Sequence, residues 1–425
     1  MALTVFILLG ILLAIGVPIA ISLGVASALA LVSFTTIPMM TVPQTLFTSL
    51  DTFPLMAVPF FVLAGNIFNT GGVARRLVNL TNAWVGHVSG GLAIAGVLGC
   101  ALFAAISGSS PATVIAMGGI MIPAMIKAGY DKEYAVGVMA NAGTLGILIP
   151  PSIPLIVYGF VTNQSVGQLF IAGIGPGILL TFLLVASCYI IARVRGYERQ
   201  QPATCGQRAR ATAEALPSLT LPIIIIGGIY GGVFTPTEAA VVACVVGLVI
   251  GFFVHREMTV RDLPKVLSDS AKSTSMLMLI ISMAMLFGYI LTSELIPQKL
   301  SQAVLATSTE PWMVLVAINL ILLLAGMFLE PTSIILVLGP LFYAVAVPLG
   351  ISPIHLGIII VMNMEVGMIT PPVGLNLYVA SGISGMKLGQ VARASLPWSM
   401  LLILALLIVT YVPRISLFLP ELLYR

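Results

Sequence analysis

Apolar residues run along this chain in long stretches separated by short polar turns. Stretches at roughly 2–33, 54–70, 132–162, 167–192, 217–233, 236–254, 273–292, 353–383 and 394–413 read as membrane spans, because a crossing needs about 20 apolar residues in a row. Two further stretches, at about 92–126 and 313–348, are too long for one span, and each is interrupted near its middle. Each reads as a re-entrant helical hairpin, since a half-hairpin of about 12 residues rises roughly 18 Å and reaches the bilayer midplane.

The interruptions come in matched sets. Ser107-Gly-Ser-Ser-Pro111 breaks the first hairpin and is followed by Gly146-Ile-Leu-Ile-Pro150-Pro151. Glu330-Pro331-Thr332-Ser333 breaks the second and is followed by Gly367-Met-Ile-Thr-Pro371-Pro372. The tip proline precedes the double proline by 39 residues in the first copy and 40 in the second. Helices in lipid avoid such breaks, because freed N–H and C=O groups find no water in hydrocarbon. Broken segments at corresponding places in two halves point to a transport site between internal repeats. Within each copy, the double proline falls inside the span after the hairpin (132–162 and 353–383), which therefore reads as a broken helix.

Composition agrees. Hydrophobic residues make up 59% of the chain and charged residues 8%, with a mean hydropathy of +1.14, against about 25% charged residues in a soluble domain. The reading is an all-α polytopic membrane protein. Met1 to Val32 lacks a basic leader and a cleavage site and reads as a first span. Cys100, Cys188, Cys205 and Cys244 form no C-x-x-C pair, and His87, His255 and His355 lack ligand partners at helical spacing. Neither set suggests a metal or redox centre. No nucleophile–base pair or metal-ligand spacing suggests an enzyme.

The charges give a topology. The basic loop around Arg193, Arg195, Arg199, Arg208 and Arg210 is cytoplasmic by the positive-inside rule. Counting outward from it, every Lys and Arg except Lys299, Arg414 and Arg425 falls on that side, with the N-terminus inside and the C-terminus outside. The net charge of +4 thus needs no nucleic-acid or other anionic partner. The loop at 35–53 has no Lys or Arg, whereas its counterpart at 255–272 has four, so equivalent segments face opposite sides. This predicts inverted-topology repeats over 1–195 and 234–425, joined by 196–233, a basic loop and a linking span. Two amphipathic segments, Thr70–Trp84 and Thr259–Lys272, are expected to lie in the interface plane, either as braces or as plain loop helices with no mechanical role.

Helices that stop at mid-membrane expose carbonyls, which suit a hard cation such as Na⁺, and N–H groups, which suit a carboxylate. The candidate Na⁺ ligands are Ser107, Gly108, Ser109, Asn141, Gly143 and Gly146 in the first half, and Glu330, Thr332, Gly367, Thr370 and Pro371 in the second. The candidate substrate contacts are Ser110, Thr144, Pro150 and Ser152, with Ser333, Asn363, Glu365 and Pro372. Acids inside a membrane are rare and usually functional, which singles out Glu330 and Glu365 and leaves proton coupling open. Glu238, in Thr235-Pro-Thr-Glu238, reads instead as a helix cap. Two matched sites suggest at least two Na⁺ per cycle.

These residues carry a family resemblance over essentially the whole chain. Phe53-Pro-Leu-Met-Ala-Val-Pro-Phe-Phe-Val-Leu-Ala-Gly-Asn66, Ser107-Gly-Ser-Ser-Pro111, Ile149-Pro-Pro-Ser-Ile153, Gly232-Val-Phe-Thr-Pro-Thr-Glu-Ala-Ala240 and Ile369-Thr-Pro-Pro-Val-Gly374 make it similar to the large membrane subunit of tripartite ATP-independent periplasmic (TRAP) transporters. Asn66 stands where the resemblance leads one to expect an acidic residue in many relatives. The resemblance implies an elevator-type, Na⁺-coupled symporter of the bacterial inner membrane, with its C-terminus periplasmic. It also implies a small four-helix membrane subunit and a periplasmic binding protein that delivers an organic acid, by default a C4-dicarboxylate. Family sodium sites would fall between hairpin tip and broken helix, at Ser107–Ser110 with Asn141–Gly146 and at Glu330–Ser333 with Gly367–Pro371. The alternatives are a stand-alone transporter of the divalent-anion type and, less well supported, a channel.

Overall fold

The computed structural model describes residues 2–35, 37–307 and 310–424; Arg425, counted among the outer basic residues, lies outside them. The described residues form helices and no strand, and eight helices are long and apolar enough to cross a membrane. Both expected hairpins are present. The first joins Gly91–Ser107 to a second arm starting at Ser110 and ending at Lys127, with a π-helical stretch at Val114–Gly118. The second joins Pro311–Gly326 to Pro331–Ala346. Both broken helices follow them. The first runs Lys132–Ala142, then a 3₁₀ turn at Gly143–Ile147, then Ile153–Thr162. The second runs Pro353–Gly367 and resumes at Leu375–Ser384.

The first hairpin begins and ends at one face. Gly90 lies against Cys188 and Ala192 near the end of the Val166–Arg195 helix, and Asp131, just past the second arm, pairs with Arg195 at 2.7 Å. Its tip therefore points away from the basic loop and into the molecule, as a re-entrant hairpin requires.

Elsewhere the structure corrects the sequence boundaries. The single span expected at 2–33 is two helices, Ala2–Ala14 and Ile19–Phe34, which pack on each other. Gly16 adopts a left-handed φ of +84°, and Val17 N–H donates to Leu12 O at 3.0 Å. This capping turn satisfies the last carbonyls, and Pro18 then cannot continue the first helix. The linking span starts earlier than 217, because Cys205–Tyr230 is one helix that takes in Arg208 and Arg210. The brace expected at Thr259–Lys272 is not separate: Leu263–Ser293 is continuous for 31 residues, since no Gly or Pro separates its amphipathic start from its apolar body. The other brace is a distinct helix, Val73–Val85, which buries Ala74, Leu77 and Val78 and leaves Trp84 exposed. Among the described residues three short helices lie outside the expected spans and braces: Thr41–Thr48, Ile296–Thr307 and Arg414–Leu423.

The helices sort into two groups by packing. Ile19–Phe34, Ala57–Thr70, Pro236–Val249 and Leu263–Ser293 pack on one another as a frame. Asn66 Nδ2 ties it together by donating to Ser270 Oγ at 2.8 Å. At one edge of the frame Glu257 receives Arg75 and Arg76, the latter at 2.6 Å. The Pro236–Val249 helix opens on the expected cap: Glu238 accepts from Thr235 N–H at 2.8 Å, while Thr235 Oγ1 accepts from Glu238 N–H at 3.3 Å. The hairpins and broken helices form the second group and are interleaved. Ile153–Thr162 of the first broken helix packs on Pro331–Ala346 of the second hairpin, and Leu375–Ser384 of the second packs against the tip and second arm of the first hairpin.

Partial burial pushes the Glu257 carboxyl up, but bonds from Arg76 and Arg75 outweigh it and hold it below the ordinary value of 4.5. A depressed carboxylate contributes stability that is complete above its unfolded value and lost as pH falls through the folded one. Glu257→Gln is therefore expected to lower stability at neutral pH by about 1 kcal/mol or less. Thermal unfolding in detergent should show that difference shrinking below pH 4.5.

Candidate functional site

Each hairpin tip is built to meet the break in the helix that follows it. In the first copy Ser107 ends one arm, Gly108 turns the chain with a left-handed φ of +64°, and Ser109 precedes the second arm. The tip is knitted locally: Thr113 Oγ1 donates to Ser109 O at 2.8 Å and lies 2.9 Å from Ser107 Oγ. Beneath it, Thr144 Oγ1 donates to Asn141 O at 2.8 Å, and Ser152 Oγ receives Leu155 N–H and donates to Ile147 O. Tip and break touch through backbone, with Ile153 N–H donating to Gly108 O at 3.4 Å.

The second copy repeats this contact. Val373 N–H donates to Met327 O at 3.1 Å, again from just past a double proline to a hairpin tip. Both double prolines, Pro150–Pro151 and Pro371–Pro372, carry cis peptide bonds. Glu330 caps the returning arm: its carboxylate accepts Ser333 N–H and Ser333 Oγ–H, each at 2.9 Å. Thr332 and Ser333 are buried beside it, and Thr370 Oγ1 donates to Val366 O at 2.6 Å.

Glycine matters here because side chains would fill the contact. A Cβ on Gly146 would stand 2.5 Å from Ser109 O, and one on Gly143 would strike Val114. A Cβ on Gly367 would stand 2.7 Å from the Gly326 Cα of the second hairpin. These three glycines let the break approach the hairpin at backbone distance.

The candidate residues thus fall into two clusters. The tip of Ser107, Gly108, Ser109 and Ser110 meets Gly146 and, through Gly108, the stretch of Pro151, Ser152 and Ile153. Gly143 packs on Val114 of the second arm, and Pro150 lines a separate apolar cavity beside Ile174 and Ile178. Glu330, Thr332 and Ser333 form the other tip, whose Gly326 and Met327 meet the turn of Gly367, Thr370, Pro371 and Pro372. Asn141 and Thr144 lie under the first cluster. Asn363 and Glu365 sit in the last turns before the second break, both wholly buried. Four of the buried oxygens left without a donor belong to this region: Asn141 Oδ1, Asn363 Oδ1, Glu365 Oε1 and Asn376 Oδ1. Buried acceptors with no donor suit a cation better than an anion.

The sequence reading missed Asn376, although a fully buried amide four residues past a double proline is an unusual placement in an apolar half-helix. Its Nδ2 donates to Ser110 Oγ at 2.7 Å and to Ala140 O at 3.1 Å, so the second broken helix completes the first cluster. Asn319 was missed too. It accepts from Asn363 Nδ2 at 2.7 Å and donates to Thr410 Oγ1 at 3.3 Å, tying hairpin to broken helix on the other side. Both tips lie where the core meets the frame. Gly65 of the frame approaches Ser107 O, and the Gly16 turn and Glu330 border one cavity of about 650 Å³.

Comparison with known proteins fits this architecture. Residues 6–415 match the family model described as "Tripartite ATP-independent periplasmic transporter, DctM component". A C4-dicarboxylate TRAP transporter large permease protein of Pseudomonas aeruginosa is 53% identical over 88% of each chain. An isethionate TRAP transporter permease protein of Oleidesulfovibrio alaskensis is 42% identical over 91% of this chain and 61% of its own length. In fold, the chain is similar to the Alcanivorax borkumensis YdaH transporter, with a TM-score of 0.63 at 15% identity over 90% of each chain.

The glycine contact generates a paired prediction. Gly146→Ala should destabilise the protein by about 1–3 kcal/mol by overpacking the tip. Gly119→Ala, where a Cβ meets nothing within 4 Å, should not destabilise it; thermal unfolding of the two purified variants checks the contrast.

Proposed function

The chain belongs to the DctM component family of tripartite ATP-independent periplasmic transporters, and we propose that it moves an organic carboxylate inward by Na⁺ symport. As a large permease subunit it is a multi-pass membrane transporter and not an enzyme. Family membership implies two partners, a small membrane subunit and a periplasmic binding protein. The Oleidesulfovibrio relative, of which this chain spans only 61%, fits a further subunit fused into one polypeptide. The basic face is taken as cytoplasmic in the bacterial inner membrane.

The observation that carries the reading is the repeated meeting of a hairpin tip with a double-proline break, with donor-less oxygens among the residues beside it. Na⁺ is assigned to both: to Ser107, Gly108, Ser109, Asn141, Gly143 and Gly146 in the first, and to Glu330, Thr332, Gly367, Thr370 and Pro371 in the second. Carbonyls freed at a break supply much of a hard cation's shell. The substrate carboxylate then binds between the clusters, near Ser110, Thr144, Pro150 and Ser152 on one side and Ser333, Asn363, Glu365 and Pro372 on the other. No Lys or Arg stands among these residues, so bound Na⁺ and helix N-termini provide the positive potential. Two sites give at least two Na⁺ per substrate.

Movement is assigned to the core. Its hairpins and broken helices interlock across the two halves of the chain, whereas the frame helices pack mainly on one another and meet the core along the Gly91–Ser107 and Pro331–Ala346 arms; that division supports an elevator cycle of core against frame. The relatives' names differ in substrate, C4-dicarboxylate against isethionate. A C4-dicarboxylate is the substrate proposed here, given the 53% identity to the Pseudomonas protein.

The test is uptake of labelled C4-dicarboxylate into proteoliposomes holding this chain and its small partner, with and without the binding protein. Uptake that needs both the binding protein and inward Na⁺ is expected. Uptake without the binding protein would favour a stand-alone transporter, and uptake indifferent to Na⁺ would contradict the coupling. Ser107→Ala and Thr332→Ala should each raise the Na⁺ concentration for half-maximal uptake about tenfold, the loss of roughly 1.4 kcal/mol.

A further inference from the structure

A second cavity, of about 620 Å³, opens on the basic side of the molecule, remote from both hairpin tips. One wall is apolar and continuous with surface that faces lipid: Ile190 is 59% and Val194 82% exposed. The opposite wall carries charge. Lys132 and Arg393 both line it, and among the described residues neither has an ion-pair partner. Asp131 also lines it but is already neutralised by Arg195 at 2.7 Å and by the Tyr197 hydroxyl at 2.7 Å. Glu133 is the remaining acid, so Lys132 and Arg393 together leave the lining with an excess of one positive charge.

The floor is rigid and aromatic. Tyr134 and Trp398 line it, with ring centroids 5.6 Å apart, and Arg195 lies over the Tyr134 ring at 5.8 Å. Tyrosine and tryptophan at the level where apolar surface gives way to charge mark the membrane interface. Basic pockets between membrane helices at that level take lipid head groups.

We propose that this cavity binds an anionic phospholipid. Its phosphate lies between Lys132 and Arg393, and an acyl chain runs along Ile190 and Val194. The unpaired cations need an anion, and a soluble anion would leave the adjoining apolar wall uncovered, so the occupant has to carry both parts. The lipid would bridge the start of the first broken helix, the Val166–Arg195 helix and the Leu388–Tyr411 helix, three elements that meet at this cavity.

The test uses the delipidated full chain in detergent, with thermal unfolding and native mass spectrometry as readouts. Phosphatidylglycerol should raise the unfolding temperature by several degrees more than phosphatidylcholine and be retained as a bound adduct. Lys132→Gln with Arg393→Gln should abolish that preference and lower adduct occupancy at least about fivefold, while Arg199→Gln, outside the cavity, should leave both unchanged. Native mass spectrometry reads occupancy even where the double variant is less stable. An equal response to the two lipids, an unaltered preference in the double variant, or equal stabilisation by glycerol 3-phosphate would overturn the proposal.

Discussion

The backbone of this protein stops and restarts inside the membrane, and everything else is arranged so that those ends are not left bare. An unpaired N–H or C=O in hydrocarbon costs several kcal/mol. The chain answers by laying each hairpin tip against the break of the next helix, so that Gly108 O receives Ile153 N–H and Met327 O receives Val373 N–H. Serine, threonine and glutamate side chains take up part of what remains, as Glu330 does for Ser333. The acceptors still without donors are the ones a cation can use. The constraint that makes breaks rare is thus also the source of the binding capacity proposed at these two places.

Close backbone approach has consequences for packing. Gly143, Gly146 and Gly367 sit where a methyl group would collide with the hairpin, so tip and break are fitted to each other. The units are in turn tied across the molecule. Asn376 joins the second broken helix to Ser110 and Ala140, and Tyr158 Oη donates to Pro353 O at 2.7 Å. Asn319, Asn363 and Thr410 link the second hairpin, the second broken helix and the Leu388–Tyr411 helix. Within the frame, Asn66 bonds Ser270, and Arg76 of the Val73–Val85 helix, which packs on the first hairpin, bonds Glu257 just past the Pro236–Val249 helix.

Much of this was legible in the sequence because the signals are strong ones. A polar tip inside a long apolar stretch and a double proline 39 or 40 residues on are hard to reconcile with unbroken spans, and both hairpins and both broken helices appear where they were expected. Boundaries were less legible. Hydropathy alone merged Ala2–Ala14 with Ile19–Phe34, since Gly16 and Pro18 barely lower a window average. It also divided Leu263–Ser293, because polarity changes along that helix while the backbone does not. The cross-links were not legible at all. Asn376 and Asn319 are single polar residues in apolar context, and their meaning depends on partners 266 and 91 residues away. Pairing at that distance is set by tertiary packing, which no local pattern encodes.

The most direct test of the account is side-specific cysteine labelling at the two tips. Ser109→Cys and Thr332→Cys would be made separately in a background where the exposed Cys205 is serine, then reconstituted and treated with a membrane-impermeant maleimide. The account predicts that Na⁺, but not K⁺ or choline at equal ionic strength, slows labelling at both positions, because both tips close on the cation. Labelling unaffected by Na⁺ at both positions would contradict the claim that the two tip-and-break contacts are the coupling sites.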